Sequence, residues 1–197
     1  MLLLARIRIT QFDALIVVDM QRDFMPGGTL PVPEADTIIP TINEYIQIFK
    51  NRGGTIVATR DWHPTNHISF TTRGGPWPPH CIQGTSGAEF HPDLTLPENT
   101  IIVSKATEPD KEAYSGFDGT NLNDVLRERG VNRIFVCGVA TNYCVKATAI
   151  DGVKLGYTVI VLLDAIRGID IPPGSVDRAL NEMLDMGIIL ATQHDIE

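Results

Sequence analysis

The chain has 197 residues, of which 43% are hydrophobic and 20% are charged, and its formal net charge is -8. These proportions are typical of a globular protein with enough material for one core, so they exclude a disordered or collagen-like chain. Without a Lys/Arg cluster to neutralise phosphates, we expect no nucleic-acid partner.

The start of the chain and its cysteines indicate a cytoplasmic protein. Residues 1–5 are apolar but too few for a signal peptide, and they lead into Arg6 and Arg8. Three cysteines without CxxC spacing favour reduced thiols over a disulfide framework or a zinc ribbon. We therefore expect no membrane association, and we interpret residues 1–12 as an N-terminal leader of open function.

Short apolar runs alternate with segments of helical periodicity. The predicted strands are residues 14–19, 55–59, 100–104, 134–137, 158–163 and 188–191, and the predicted helices end at the glycines numbered 53, 130, 156 and 187. This order predicts a single-domain α/β fold over residues 1–197, a three-layer sandwich with a six-stranded, mostly parallel sheet and helices on both faces. Right-handed crossovers place the carboxyl ends of the strands at one edge, where such sheets bind ligands.

Residues 62–92 show neither helical nor strand periodicity and are rich in Gly, Pro, His and aromatic residues. A structureless loop of this length inside a compact domain is usually functional. Because its His and aromatic side chains can bury area and bind ligands, we interpret it as a metal- and substrate-binding loop.

Three residues that follow separate predicted strands combine a base, a cation and a nucleophile: Asp19, Lys105 and Cys144. A tight connection is predicted over residues 138–141, and Cys144 is expected in the first turn of the helix that follows it. There the helix dipole and free N–H groups favour the thiolate. Each residue also has a purely structural interpretation. Asp19 suits a cap, Lys105 a solvated charge and Cys144 ordinary core packing.

A second group consists of Asp61, His63 and His80, whose carboxylate and imidazoles suit Zn²⁺, Fe²⁺ or Mn²⁺. Surface histidines beside a capping acid are the alternative. His67 is left without a role, and Cys81 is interpreted as structural.

Three aromatic residues, Phe24, Trp77 and Tyr114, lie in loops near the expected ligand-binding edge. Aromatic side chains there either enclose a flat ring or anchor the loops in the core. The sequence pattern alone leaves both interpretations open.

Four passages resemble the isochorismatase-like cysteine hydrolases, and within them the nicotinamidases. They are VVDMQRDFMPGG (residues 17–28), TRDWHPTNH (59–67), GGPWPPHC (74–81) and GVATNYCV (138–145). The resemblance extends from about residue 14 to the last predicted strand. The leader is the one segment that departs from the family pattern.

The resemblance implies a role for each candidate residue. It implies Cys144 as nucleophile, Asp19 as base and Lys105 as its charged partner. One divalent metal ion, with Zn²⁺ favoured over Fe²⁺ and Mn²⁺, is expected on Asp61, His63 and His80. The resemblance further implies a cis peptide between Val139 and Ala140, an oxyanion hole formed by the N–H groups of Ala140 and Cys144, and substrate contacts from Phe24, Trp77, Tyr114 and Val139.

The activity implied by the resemblance is hydrolysis of nicotinamide to nicotinate and ammonia through a cysteine thioester, in NAD salvage, with pyrazinamide as a second substrate. The alternatives are another amidohydrolase of this family, acting on a carbamoyl or ureido substrate, and a non-catalytic α/β binding module. A nucleotide-binding module is disfavoured because no Gly-rich phosphate loop follows the first strand. Assembly into a homo-oligomer is left open.

Overall fold

The computed structural model describes residues 6–197, and within them the chain forms one six-stranded β-sheet. Its strands are β1 (Asp13–Val18), β2 (Thr55–Asp61), β3 (Ile101–Lys105), β4 (Arg133–Val139), β5 (Thr158–Arg167) and β6 (Ile189–Ala191). Their order across the sheet is β3-β2-β1-β4-β5-β6, and every neighbouring pair is parallel. The predicted α/β class is confirmed, and the sheet is parallel throughout.

The helices cover both faces of the sheet, so the predicted three layers are also confirmed. Within residues 6–197 they are α1 (Ile39–Asn51), α2 (Leu122–Glu128), α3 (Lys146–Lys154) and α4 (Ser175–Asp185). Alternate residues of β1 point to opposite sides, Leu15 into the core under α1 and Ile16 into the core under α2, α3 and α4.

The strand order reverses beside β1, whose neighbours are β2 and β4. In open parallel sheets, this switch point opens a crevice at the carboxyl ends of the strands. Asp19 follows β1 directly in a left-handed conformation (φ 51°), which turns the chain away from the sheet. The crevice is therefore bordered by the residues that end β1, β2, β3 and β4.

Three strands are longer than predicted. β2 continues two residues past its predicted end, to Asp61. Gly138 was predicted in a turn but belongs to β4, where its φ of 106° and its close approach to the Val18 backbone require glycine. β5 was predicted over residues 158–163, up to Asp164, but continues to Arg167 past an irregularity in its pairing with β4. The Asp164 carboxylate is half-buried and accepts hydrogen bonds from Tyr45 Oη (2.8 Å) and the Gln193 N–H (2.9 Å).

Residues 62–92 contain no α-helix and no strand of the sheet, as predicted, but they are well connected. Two short 3₁₀ turns, Thr71–Arg73 and Ser86–Ala88, interrupt the segment. Isolated β-bridges join His63 to Ile82, Phe70 to Trp77 and Gln21 to Phe90. These bridges hold the loop across the carboxyl edge of the sheet.

The predicted leader lies only partly within the described residues, because residues 1–5 fall outside them. Ile7 forms a parallel bridge with Ile196, and its N–H donates to the Asp195 carbonyl at 2.6 Å. Ile9 is buried in the core under α1. This part of the leader therefore packs against the C-terminal segment. No helix in residues 6–197 has both the length and the apolar character needed to cross a membrane.

Candidate active site

Cys144 lies in a π-helical turn, Thr141–Val145, which leads directly into α3. The chain enters this turn from β4 through the Val139–Ala140 peptide, which is cis as expected. Cys144 is buried and lines a cavity at the edge of the sheet. Its backbone N–H belongs to the first turn, where helical N–H groups lack an acceptor from the preceding turn.

Ala140 offers a second N–H group at the same place. It lies just outside both β4 and the π-helical turn, and it lines the same cavity. Its carbonyl accepts from the N–H groups of Tyr143 and Val145 at 3.0 and 3.2 Å. Its own N–H donates no hydrogen bond to any residue in the described part of the chain, so it is available to a ligand.

The structure brings Asp19, Lys105 and Cys144 together beneath the cavity. Lys105 ends β3, and its Nζ lies 2.8 Å from Asp19 Oδ2 and 3.3 Å from Cys144 Sγ. Asp19 follows β1, and its Oδ1 accepts a hydrogen bond from Thr59 Oγ1 at 2.7 Å. A carboxylate oxygen of Asp19 also lies within 4.8 Å of Cys144 Sγ. The three residues predicted from separate strands therefore share one buried cluster.

Burial sets the protonation of the nucleophile. It raises the pKa of the Cys144 thiol well above its usual value, although the Lys105 ammonium acts in the opposite direction. The expectation that the helix start favours the thiolate is therefore wrong for the resting protein, because burial, together with the Asp19 and Asp61 charges, outweighs the Lys105 ammonium. Cys144 is a thiol that needs a base.

Asp19 has the properties of such a base. Burial raises its pKa to about 6, the Asp61 charge adds to the rise, and Lys105 opposes it. Asp19 Oδ2 is fully buried and, despite its proximity to Lys105, accepts no hydrogen bond of good geometry from residues 6–197. It is a carboxylate oxygen with unused accepting capacity beside the thiol.

Asp61, His63 and His80 form a second cluster, with one potential ligand atom from each lying within 4.8 Å of the others. Asp61 ends β2, and the bridge from His63 to Ile82 brings the loop that carries His80 back to the sheet. His63 Nδ1 lies 3.0 Å from the His80 carbonyl, and His80 Nδ1 lies 2.8 Å from the Pro78 carbonyl. Since each Nδ1–H donates to a carbonyl, each Nε2 keeps a lone pair for a cation.

The charges of the combined site suit a divalent cation. Two carboxylates, Asp19 and Asp61, are buried with one ammonium, Lys105, so ionisation of both leaves a negative excess. Burial lowers the pKa of His63 to about 4, which keeps this imidazole neutral as a ligand must be. His80 Nε2 and Asp61 Oδ2 stand 3.9 Å apart, too far for a hydrogen bond. Two nitrogens and a carboxylate form a donor set for Zn²⁺, Mn²⁺ or Fe²⁺.

Two residues left beside the clusters are occupied by structural contacts. His67 is buried, with Nδ1 2.7 Å from Ser69 Oγ and Nε2 2.9 Å from the Lys111 carbonyl, so both ring nitrogens have partners. Cys81 is also buried, and its N–H donates to Asp23 Oδ2 at 2.7 Å.

Cys144 lines a cavity whose free space, counted out into open solvent, is about 400 Å³. Phe24, Trp77 and Tyr114 line it as expected, and Trp77 Nε1–H donates to Tyr114 Oη at 3.0 Å. Val139 was also expected among the substrate contacts, but its side chain is 1% exposed, belongs to the core under α1 and does not line the cavity. The correction follows from the geometry of β4, which points this side chain into the sheet's packed face.

Five further lining residues escaped the sequence analysis: Leu30, Val32, Glu112, Tyr143 and Ile169. The clearest signal was available for Tyr143, which directly precedes Cys144. Its ring packs edge-on against Trp77 with centroids 5.0 Å apart. The others come from loops whose positions depend on the tertiary fold.

The site thus combines a thiol, a base, a buried cation and free N–H donors at one end of an aromatic cavity, with a metal-ligand cluster beside them. A thiol with an adjacent base attacks carbonyl carbon, and the N–H donors stabilise the resulting oxyanion. Acyl transfer through a thioester is the chemistry that this arrangement supports.

Comparisons with known proteins give the same classification. The isochorismatase domain matches residues 13–195. The nicotinamidase of Acinetobacter baylyi is 43% identical over an alignment that covers 89% of this chain and 90% of that protein. The crystal structure of the pyrazinamidase of Pyrococcus horikoshii in complex with zinc is similar with a TM-score of 0.88 at 63% identity, covering 91% of this chain and 98% of that one.

A further solved structure, PnC1 from L. infantum in complex with nicotinate, has a TM-score of 0.91 at 36% identity and covers 98% of both chains. The likeness therefore extends over nearly all of this chain and of its relatives. The chain belongs to the isochorismatase family and is similar to its nicotinamidase members.

Proposed function

We propose that this protein is a metal-dependent amidohydrolase that converts nicotinamide to nicotinate and ammonia, with pyrazinamide as a second substrate. The observation that carries the proposal is that Cys144 lines one cavity together with Asp61, His63 and His80, while Asp19 and Lys105 lie buried beneath it beside Cys144. It is supported by the nicotinamidase relative and by the solved relatives that hold zinc or nicotinate. Nicotinate formed in this way would serve NAD salvage in the cytoplasm.

In the proposed mechanism, Asp19 accepts the thiol proton of Cys144 as the sulfur attacks the carboxamide carbon. The N–H groups of Ala140 and Cys144 hold the oxyanion of the tetrahedral intermediate. Asp19 then returns the proton to the departing nitrogen, and ammonia leaves a thioester on Cys144. Water, deprotonated by Asp19, hydrolyses the thioester to nicotinate and restores the thiol.

Lys105 supports these steps without exchanging a proton. Burial disfavours its charge, but the Asp19 and Asp61 carboxylates raise the pKa of Lys105 well above its usual value. It therefore remains an ammonium throughout and stabilises negative charge on Asp19 and on the sulfur, 3.3 Å away.

Asp61, His63 and His80 would hold one divalent metal ion, proposed as Zn²⁺ because a zinc complex is known for the P. horikoshii relative. Such an ion would supply a Lewis-acid anchor for the ring nitrogen of the substrate. Residues 62–92, which provide both histidines, form the proposed metal- and substrate-binding loop.

The aromatic side chains would orient the pyridine ring. Trp77, Tyr114 and Tyr143 contact one another, and Phe24 lies 5.5 Å from the His80 ring, centroid to centroid. A flat ring held between these groups would present its carboxamide to Cys144. Holding the two reacting groups in this orientation makes the attack effectively unimolecular.

An ammonia-release assay on nicotinamide tests the proposal. We expect activity that chelator removes and Zn²⁺, Mn²⁺ or Fe²⁺ restores, and a loss of at least about 1000-fold in Cys144→Ala. Benzamide, which has the carboxamide but no ring nitrogen, should be a much poorer substrate. The panel should include a carbamoyl and a ureido amide. Faster turnover of either, or appreciable nicotinamide hydrolysis by Cys144→Ala, would contradict the proposal.

A further inference from the structure

We propose that Gln21 is a positioning residue that fixes the metal ligand Asp61 by clamping its backbone from the side of β1. The proposal rests on the function above in one respect only, the assignment of Asp61 as a metal ligand. Gln21 belongs to neither the triad nor the metal cluster, and it does not line the cavity.

The side-chain amide of Gln21 is completely buried and uses all of its hydrogen-bonding groups on backbone atoms. Its Oε1 accepts from the Asp61 N–H at 2.8 Å, and its Nε2 donates to the Asp61 carbonyl at 2.7 Å. The second Nε2 hydrogen goes to the Ala88 carbonyl at 2.9 Å. The orientation of the amide is thereby fixed, since the reverse would oppose two carbonyls with an oxygen.

This contact replaces a strand neighbour that the sheet does not supply. β1 pairs with β2 only as far as Val18 opposite Thr59, and the left-handed Asp19 then takes the main chain away. Asp61 lies two residues beyond Thr59 and would have no partner on this side. The Gln21 amide has the donor and the acceptor of a peptide group, and it binds the Asp61 backbone as a neighbouring strand would.

On its other side, Asp61 is paired with Lys105 of β3, whose carbonyl accepts from the Trp62 N–H at 3.1 Å. The Asp61 backbone is therefore held from both sides, and its side-chain direction follows from that backbone. Metal ligands are commonly oriented by such outer contacts, whose loss lowers metal affinity by about 10- to 100-fold.

The same amide connects Asp61 to the end of the loop that carries His80. Ala88 lies in the short turn Ser86–Ala88, and the Gln21 main chain bridges to Phe90 just beyond. Gln21 thus fixes the position of Asp61 relative to Ala88, in the part of the loop that follows His80. A change at Gln21 should disturb the geometry of the cluster even though no ligand atom is altered.

The test compares Co²⁺ binding by Gln21→Met, which keeps the length of the side chain and removes all three hydrogen bonds, with binding by wild type. Gln21→Glu is the second variant, because it retains the acceptor but sets an oxygen against two carbonyls. Asn43 provides a matched control, since its amide also clamps backbone, donating to the Asp93 carbonyl (2.8 Å) and accepting from the Thr95 N–H (2.9 Å). Asn43→Leu and Asn43→Asp repeat the two changes away from the cavity.

We expect the folded Gln21 variants to bind Co²⁺ about 10- to 100-fold more weakly than wild type and with an altered visible spectrum, while the Asn43 variants match wild type in both. Wild-type Co²⁺ affinity and spectrum in folded Gln21→Met and Gln21→Glu would overturn the proposal. Failure of both variants to fold would also overturn it, because Gln21 would then serve the fold as a whole. Wild-type protein that binds Co²⁺ but releases no ammonia from nicotinamide would reject the proposed function and leave this inference intact.

Discussion

Lys105 donates a hydrogen bond to Asp61, so the cation of the triad is shared with the metal-ligand cluster. The parallel register of β2 and β3 pairs the two residues at the ends of their strands. Asp61 directs Oδ1 to Lys105 and presents Oδ2 toward His80. The Asp61 carboxylate therefore connects Lys105, which contacts the proposed nucleophile Cys144, to the residues that would hold the metal.

Replacing Lys105 by methionine should destabilise the protein. The substitution leaves Asp19 and Asp61 buried without a cation, and breaking a buried pair costs about 3–5 kcal/mol in the free energy of unfolding. A bound divalent metal should reduce the loss, because it replaces part of the missing positive charge. Denaturant unfolding with and without Zn²⁺ measures both effects. Lys111→Met is the control, since its ion pair with Asp118 is exposed, and equal losses in the two variants would contradict the expectation.

Replacing His80 by alanine should release the metal. The substitution removes one of the three proposed ligands, so metal affinity should fall by at least about 100-fold. Losing a residue that only orients a ligand costs about 10- to 100-fold, and losing the ligand itself should cost no less. Titration with Co²⁺ and measurement of bound zinc per chain report this change. His91→Ala is the matched histidine control because His91 lies outside the cluster, near Asp93. Full metal content in His80→Ala would remove His80 from the ligand set.

Much of the fold could be predicted because β1 and β2 are continuous apolar runs, which in α/β proteins are strands covered on both faces. The errors lie at strand ends, where a glycine can indicate either a turn or a close contact between two strands. Gly138 was attributed to a turn, but it serves the close approach of β4 to Val18. Sequence pattern shows the need for glycine without showing which neighbour creates it.

The site residues could be nominated from the sequence because they follow strand ends, but their mutual contacts depend on register. The pairing of Asp61 with Lys105 arises from residues 44 positions apart, and no local pattern encodes it. The prediction that the Cys144 thiolate is favoured was wrong for the same reason, since the burial that raises the pKa of this thiol is produced by the whole fold. The inward orientation of Val139 likewise follows from the path of β4.

The pH dependence of kcat/KM should show an acid limb due to Asp19. Its pKa is raised to about 6, so the base is present above that pH and is lost by protonation as the pH falls through it. Because the Asp61 charge contributes to the rise, a metal bound to Asp61 should place the limb at or below pH 6. Rates measured over a tenfold range of metal concentration distinguish protonation of Asp19 from loss of the metal at low pH. A midpoint that moves with metal concentration would attribute the limb to metal loss instead.

Replacing Tyr114 by phenylalanine should weaken substrate binding more than turnover. Trp77 Nε1–H would lose its acceptor, and a lost hydrogen bond of about 0.5–1.5 kcal/mol corresponds to a rise in KM of about two- to tenfold if the Trp77 ring becomes less fixed. Steady-state kinetics on nicotinamide separate KM from kcat. Tyr45→Phe also removes a tyrosine hydrogen bond, to Asp164, but outside the cavity, so it should leave KM unchanged. A larger effect on kcat than on KM in Tyr114→Phe would argue against a role in holding the ring.

Replacing Gly138 by alanine should impair both stability and catalysis. The new Cβ would collide with the Val18 backbone at a φ of 106°, forcing β1 and β4 apart just before Asp19 and Ala140. We expect a loss of at least about 2 kcal/mol in unfolding free energy, because positive-φ strain alone costs about 1–3 kcal/mol. Gly187→Ala isolates that strain, since Gly187 has a φ of 81° with no atom within 4 Å of the added Cβ. Denaturant unfolding and ammonia release under folding conditions measure the two consequences. If Gly138→Ala lost no more stability than Gly187→Ala and kept full activity, the close contact between β1 and β4 would not be needed to align the base with the oxyanion donors.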